Sequence, residues 1–169
     1  TRWIYKDEVE EDAVSELAQT INVNHTIARI LLQRGILSFE QAKEFFRPSL
    51  NQLHDPFLMR DMDKALDRIN EAIRTSEKIL IYGDYDVDGT TGTALLVNFF
   101  KEVGGRVEYH IPNRLEEGYG LNLEWFLQKK KAGLESEFLL ITVDCGISNR
   151  SEIEAIKRLG GTVVITDHQ

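Results

Sequence analysis

With 169 residues, 42% of them hydrophobic, the chain is long enough to bury a core as one domain, or one plus a small lobe. No apolar run approaches the roughly 18 residues of a membrane span, and the acidic opening "TRWIYKDEVEEDA" does not resemble a signal peptide. Cys145, the single cysteine, excludes an intrachain disulfide, so a reducing cytoplasmic setting is expected, and the net charge of −8 argues against non-specific nucleic-acid binding by this surface alone.

The first third of the chain carries helical periodicity. Val14, Leu17, Ala18 and Ile21 fall at i, i+3, i+4 and i+7, an amphipathic stripe. Ile27, Ile30, Leu31 and Arg34 continue it after a polar break at "NVN", with Gly35 placed to cap the carboxyl end. "SFEQAKEFF" opens with Ser38 and Gln41 in capping-box spacing and is closed by Pro48. "RPSLNQLHDPFLMR" reads as an irregular connector, and Met62, Ala65, Leu66, Ile69 and Ile73 mark a further helix with Asp61 as its N-cap.

From Lys78 the pattern changes. Short β-branched runs at 79–82, 106–111, 138–143 and 162–166 read as strands, and helix-like segments lie near 91–103, 122–132 and 149–159. Such alternation predicts an α/β fold, a mainly parallel sheet with helices on both faces, preceded by the N-terminal helical region. In open sheets of this kind the site lies along the carboxyl ends of the strands.

Those ends are acidic. Asp84, Asp86 and Asp88 follow the first strand, Asp144 the third, and Asp167 and His168 the fourth. Crowded carboxylates repel unless a cation or a shared proton reverses the sign, and hard divalent ions prefer carboxylate oxygen. A histidine nitrogen shifts the preference from Mg²⁺ toward Mn²⁺ or another transition metal. Two ions roughly 3.5–4 Å apart need bridging carboxylates, a demand that Asp86, Asp88 and Asp144 meet, and such a pair suits in-line phosphoryl displacement. Gly89 and Gly92 suggest a tight turn into the following helix and close approach to an anionic substrate. In "IPNRLEEGYGLN", Arg114 is placed to hold a phosphate and Tyr119, flanked by glycines, to stack on a base; a glycine-rich loop with a surface salt bridge is the competing reading. His25 and His54 read as structural, and His110, at a strand end, as a lesser candidate.

"YGDYDVDGTTGTALL", "EEGYGLN", "ITVDCGISN" and "VVITDH" resemble, in order, the motifs of the DHH phosphoesterase superfamily, specifically its RecJ-type single-strand DNA exonucleases. "ARILLQRGI" and "FRPSLNQLHDPFLMRDMDKAL" resemble that family's helical lead-in. The resemblance implies a hydrolase dependent on Mn²⁺ or Mg²⁺, with two ions in the complete site, that shortens single-stranded DNA from 5′ to 3′ in recombination and repair. It implies a single-strand-binding protein or helicase as protein partners. Asp86 and Asp88 match the first metal motif, with Asp84 a close third, and Asp144 matches the second as a bridging ligand. Asp167 and His168 match the first two letters of the Asp-His-His signature, whereas Gln169 stands where the family has its second histidine.

The metal set expected on this basis is Asp84, Asp86, Asp88, Asp144 and His168. The catalytic set is Asp86, Asp88, Asp144 and Asp167, and Arg114 and Tyr119 are expected to bind substrate. Residues 1–60 are expected to form the helical region and connector, and 61–169 a partial catalytic domain. The chain is thus expected to be the N-terminal piece of a longer enzyme and inactive alone.

Two other readings belong to different classes. "DVDGT" (86–90) fits the signature of haloacid dehalogenase-like phosphatases, with Asp86 as nucleophile and Asp88 as general acid/base beside one Mg²⁺, but "GDY" intervenes after the strand and "DCGIS" and "TDH" are left unexplained. Within the DHH superfamily, a small-nucleotide phosphodiesterase is the nearer alternative. A non-enzymatic interaction or scaffold module would leave the acids solvated and show no saturable effect of Mn²⁺ on melting.

Overall fold

The computed structural model describes residues 8–168; Thr1–Asp7 and Gln169, and with it the departure from the Asp-His-His signature, lie outside the described residues. Two compact units divide the chain, Thr1–Pro56 and Phe57–Gln169.

In the first unit, α1 (Glu11–Ile21) and α2 (His25–Leu32) share a small core of Val14, Leu17, Ala18, Ala28 and Leu31. Asn24 starts α2 by accepting a hydrogen bond from the Ile27 N–H at 2.9 Å. Gly35, at φ +79°, ends that turn, and the Ile36 N–H reaches back to the Leu31 carbonyl at 3.0 Å. The buried stripe of α2 runs through Ala28 and Leu31, so Ile27 and Ile30, expected inside, stand at its flanks and are exposed. Before α3 (Phe39–Phe46), Ser38 Oγ accepts from the Gln41 N–H, but Gln41 Oε1 accepts from Leu37 N at 2.7 Å rather than from Ser38 N. The capping box is therefore opened by one residue. The proline-containing connector holds only two short 3₁₀ turns, Leu50–Gln52 and Pro56–Leu58.

The second unit runs α4 (Met62–Arg74), β1 (Lys78–Gly83), α5 (Val87–Glu102), β2 (Arg106–His110), α6 (Leu123–Lys131), β3 (Phe138–Val143), α7 (Arg150–Arg158), β4 (Gly161–Thr166). Asp61 precedes α4 in the left-handed region without capping it, because its carboxylate pairs with Lys64 Nζ at 2.6 Å. All strand pairs are parallel, in the order β2-β1-β3-β4. The central strands β1 and β3 are apolar without alternation because both faces are covered. On one face Ile79, Ile81, Leu139 and Ile141 pack against Ala72 of α4 and Val97 and Phe100 of α5. On the other, Leu80, Tyr82, Phe138 and Leu140 pack against Phe126 of α6 and Ile153 and Ile156 of α7.

Connections leave β1 toward β2 and β3 toward β4, in opposite directions along the sheet. The point of divergence lies between β1 and β3, where parallel open sheets form a crevice at their carboxyl ends. α5 starts four residues earlier than expected, at Val87, since Asp86 caps it by accepting from the Gly89 N–H at 3.0 Å. Gly89 and Gly92 are accordingly helical rather than turn residues. Their role is close approach: a Cβ on Gly89 would stand 2.4 Å from the Asp84 carbonyl oxygen, and one on Gly92 2.7 Å from Val143 Cγ1.

Candidate metal centre

Sheet hydrogen bonding continues one residue past the strands and fixes two acids. The Asp84 N–H donates to the Val143 carbonyl at 3.0 Å, and the Asp144 N–H to Thr166 at 2.8 Å. Asp84 is 4% and Asp144 8% exposed, so both carboxylates are withdrawn from bulk water. Asp144 also holds φ at +60°, a left-handed conformation that aspartate tolerates better than most residues. Asp86 at the N-cap and Asp88 in the first turn of α5 are exposed.

These acids form two overlapping groups. One oxygen from each of Asp84, Asp86 and Asp144 lies within 4.8 Å of the others, and so does one ligand atom from each of Asp88, Asp144 and His168. Asp144 belongs to both. His168 Nε2 comes within 2.7 Å of Asp144 Oδ1, yet that buried oxygen has no partner in hydrogen-bond geometry. Distance and alignment thus disagree, as they do when two groups converge on a third atom instead of on each other. Burial raises the Asp144 carboxyl above the ordinary carboxylate range; His168 opposes the rise, and the charges of Asp86 and Asp88 add to it. Among the described residues, no lysine or arginine pairs with Asp84, Asp86, Asp88 or Asp144. An orphaned buried oxygen in an uncompensated, oxygen-rich donor set with one nitrogen fits a pair of divalent cations sharing Asp144.

The other expected residues lie nearby with different partners. Asp167 falls outside both groups: Oδ2 accepts from the Ile147 N–H at 3.0 Å and Oδ1 from the His168 N–H at 2.8 Å. Arg114 sits with its guanidinium 5.3 Å from the centre of the Tyr85 ring, which meets Tyr119 edge-on at 6.5 Å. Burial raises the Tyr119 phenol, and the charges of Asp167, Asp84 and Asp144 reinforce the shift. Tyr85 was not identified from the sequence, although an aromatic between Asp84 and Asp86 was the available signal. His110 belongs to neither group and pairs with Glu117 at 2.9 Å. Cys145 is buried, its thiol donating to the Tyr82 carbonyl at 3.7 Å, and burial pushes that thiol up to about 12.

The family profile described as "DHH family, N-terminal domain" matches residues 78–169, more than half of the chain. This chain belongs to the DHH family. Among its DHH relatives, the single-stranded-DNA-specific exonuclease RecJ of Bacillus subtilis is 39% identical over 159 residues, 94% of this chain and 20% of the relative. RecJ of Escherichia coli is 33% identical over 143 residues, 84% of this chain and 24% of the relative. The chain therefore spans about a fifth to a quarter of these relatives. Thermus thermophilus RecJ in complex with Mn²⁺ superposes with a TM-score of 0.65 at 29% identity, covering 96% of this chain and 22% of that one. A second RecJ structure bound to manganese gives 0.59 at 39% identity, covering 66% and 28%. The parallel sheet and N-terminal helices are those of the RecJ fold. The phosphatase alternative assigns no role to Asp144 or His168, and the family match favours the DHH reading.

Proposed function

We propose that this chain is the N-terminal part of a divalent-metal-dependent exonuclease that hydrolyses phosphodiester bonds of single-stranded DNA from the 5′ end. The observation that carries the reading is the convergence of Asp84, Asp86, Asp88, Asp144 and His168 into two groups sharing Asp144 at the switch point of the sheet. RecJ relatives named for single-stranded-DNA specificity, and RecJ structures holding Mn²⁺ or Mg²⁺, support it. Asp84, Asp86 and Asp144 would hold one ion, and Asp88, Asp144 and His168 the other. Bound there, the ions supply an activated water and stabilise both the attacking and leaving oxygens of the phosphodiester. The chain's own part is orientation: Asp144 is fixed by its strand bond and left-handed backbone, and Asp86 by its cap of α5. Arg114 would hold a phosphate of the strand and Tyr119 would stack on an unstacked base, a role their contacts with Tyr85 support. Asp167, tied to Ile147, would keep the loop after β3 in place at the rim of the catalytic site. A cytoplasmic role in recombination and repair, with the strand delivered by a single-strand-binding protein or helicase, belongs to the same reading.

The test is degradation of 5′-labelled and 3′-labelled single-stranded DNA by the full-length protein with Mn²⁺, beside Asp86→Ala and Asp144→Ala. Metal-dependent loss from the 5′ end, abolished by both substitutions, is expected. Activity only on small phosphoesters would contradict the proposal.

A further inference from the structure

The loop 111–122 that carries Arg114 and Tyr119 is tied to the sheet by a chain of side-chain hydrogen bonds between residues far apart in sequence. His110, at the end of β2, meets Glu117 Oε2 at 2.9 Å, and the same oxygen accepts from Asn122 Nδ2 at 3.0 Å. Glu117 Oε1 accepts from the Asn113 N–H at 2.9 Å. Asn122 then caps α6, accepting from the N–H groups of Glu124 and Trp125. From β1, the Tyr82 hydroxyl donates to the Gly120 carbonyl and accepts from the Asn122 N–H, both at 3.1 Å.

Aromatic rings flank the part-buried middle of this network. The His110 ring stacks on Trp125 at 4.4 Å, and Tyr82, 1% exposed, stacks on Phe126. Burial raises the Tyr82 phenol to about 12, so it remains a neutral donor. Burial also works to raise Glu117, but the bonds from Asn113, His110 and Asn122 outweigh it and hold the carboxylate ionised. Between the anchors, Gly118 and Gly120 take φ of +78° and +84°, and Tyr119 between them meets the Tyr85 ring edge-on, Tyr85 lying next to Asp84 and Asp86 in the chain. Gly120 has no room for a side chain, since a Cβ would stand 2.7 Å from Asn149 Oδ1.

The geometry points to Glu117 and Tyr82 as positioning residues that act through the loop, presenting Tyr119 and Arg114 to the strand at a fixed height over the metal-binding acids. Neither touches the acidic groups themselves. This inference rests on the proposed exonuclease reading and assigns substrate engagement, not metal binding, to a part of the molecule separate from the carboxylates.

Glu117→Ala, Glu117→Gln and Tyr82→Phe in the full-length protein test it; the last keeps the packed ring and removes only the hydroxyl. In Glu117→Ala and Tyr82→Phe the KM for single-stranded DNA is expected to rise about tenfold or more, with kcat within about threefold. Mn²⁺ affinity, measured by titration without DNA, is expected to stay within about twofold, because the metal-binding residues and their strand bonds are untouched. Glu117→Gln, which keeps an acceptor for the Asn113 N–H, should fall between wild type and Glu117→Ala. Loss of kcat at unchanged KM, or Mn²⁺ affinity falling in step with activity, would overturn the inference. If the wild type does not degrade single-stranded DNA, the exonuclease reading fails separately and amide exchange decides the positioning role. Faster exchange across 113–122 in Glu117→Ala, with β1 and β3 unchanged, upholds it, and unchanged exchange across the loop overturns it.

Discussion

The two ends of one sheet handle negative charge in opposite ways. At the amino-terminal end, Glu77 pairs with Arg68 at 2.5 Å, Glu135 with Arg106 at 2.6 Å, and Glu108, nearby on β2, with both Lys78 and Lys129. At the carboxyl end, Asp84, Asp86, Asp88 and Asp144 gather with no lysine or arginine paired to them among the described residues, and the buried Asp144 Oδ1, 2.7 Å from His168 Nε2, has no partner in hydrogen-bond geometry. A cavity of about 730 Å³ opens at the amino-terminal end, and both of its arginines, Arg68 and Arg106, are held in ion pairs with Glu77 and Glu135. The smaller cluster is the better guide to chemistry, because an oxygen-rich donor set that includes the buried Asp84 and Asp144 suits divalent cations. Acidic residues at one end are paired with arginine and lysine, and those at the other are not.

Substitutions at the two ends should separate cleanly. The largest effect is expected from Asp144→Ala, which removes the residue common to both acidic groups and, on the proposed reading, the shared ligand. Each ion supplies several kcal/mol of transition-state stabilisation, so DNA cleavage by the full-length protein should fall about 10³-fold or more in a single-turnover assay. Arg68→Ala should instead cost stability, because it leaves a mostly buried Glu77 unpaired and releases Thr162, held at 2.8 Å. About 2 kcal/mol is expected by urea unfolding, below the cost of breaking a fully buried pair because Arg68 is part-exposed, with Mn²⁺ affinity unchanged. If Arg68→Ala weakened Mn²⁺ binding, the two ends would not be independent.

Gly89→Ala probes the coupling of backbone to site. The new Cβ would press on Asp84 at 2.4 Å, and an overpacking cost of about 1–3 kcal/mol is expected together with weaker Mn²⁺ binding. The smallest effect carries the most informative sign. Asp144 has its folded pKa raised, so its ionised form opposes folding above the ordinary carboxylate value of 3.8 and that penalty vanishes as pH falls below it. Asp144→Asn should therefore raise Tm slightly at pH 7 without divalent cations, an advantage fading in acid, while asparagine keeps the left-handed backbone. In Mn²⁺ at a hundredfold excess over Kd the order should reverse, since the wild type gains about 2.7 kcal/mol from binding.

Much of this contrast was legible in the sequence. "ILIY" and "FLLITV" announced buried parallel strands, and the acids after them announced the edge, because strand direction alone brings such residues together. The division of labour between Asp86 and Asp88 was not legible. They are two residues apart, but one caps α5 and the other lies in its first turn, so they join different groups. The start of α5 was hidden because "DVDGTTG" has the composition of a loop, and only contact with Asp84 and Val143 explains why glycines occupy a helix there. Tyr85 and the bonds linking Tyr82, His110, Glu117 and Asn122 escaped as well, since they join residues up to 40 positions apart that no local periodicity records.

The most direct measurement is Mn²⁺ stoichiometry of the full-length protein by calorimetric titration, read alongside electron paramagnetic resonance for spin-coupled pairs. Two coupled ions are expected in the wild type, one uncoupled ion after Asp88→Asn, and a severe loss of both after Asp144→Asn. A single uncoupled ion in the wild type, or a pair that survives Asp144→Asn, would contradict a shared Asp144 and with it the two-cation centre.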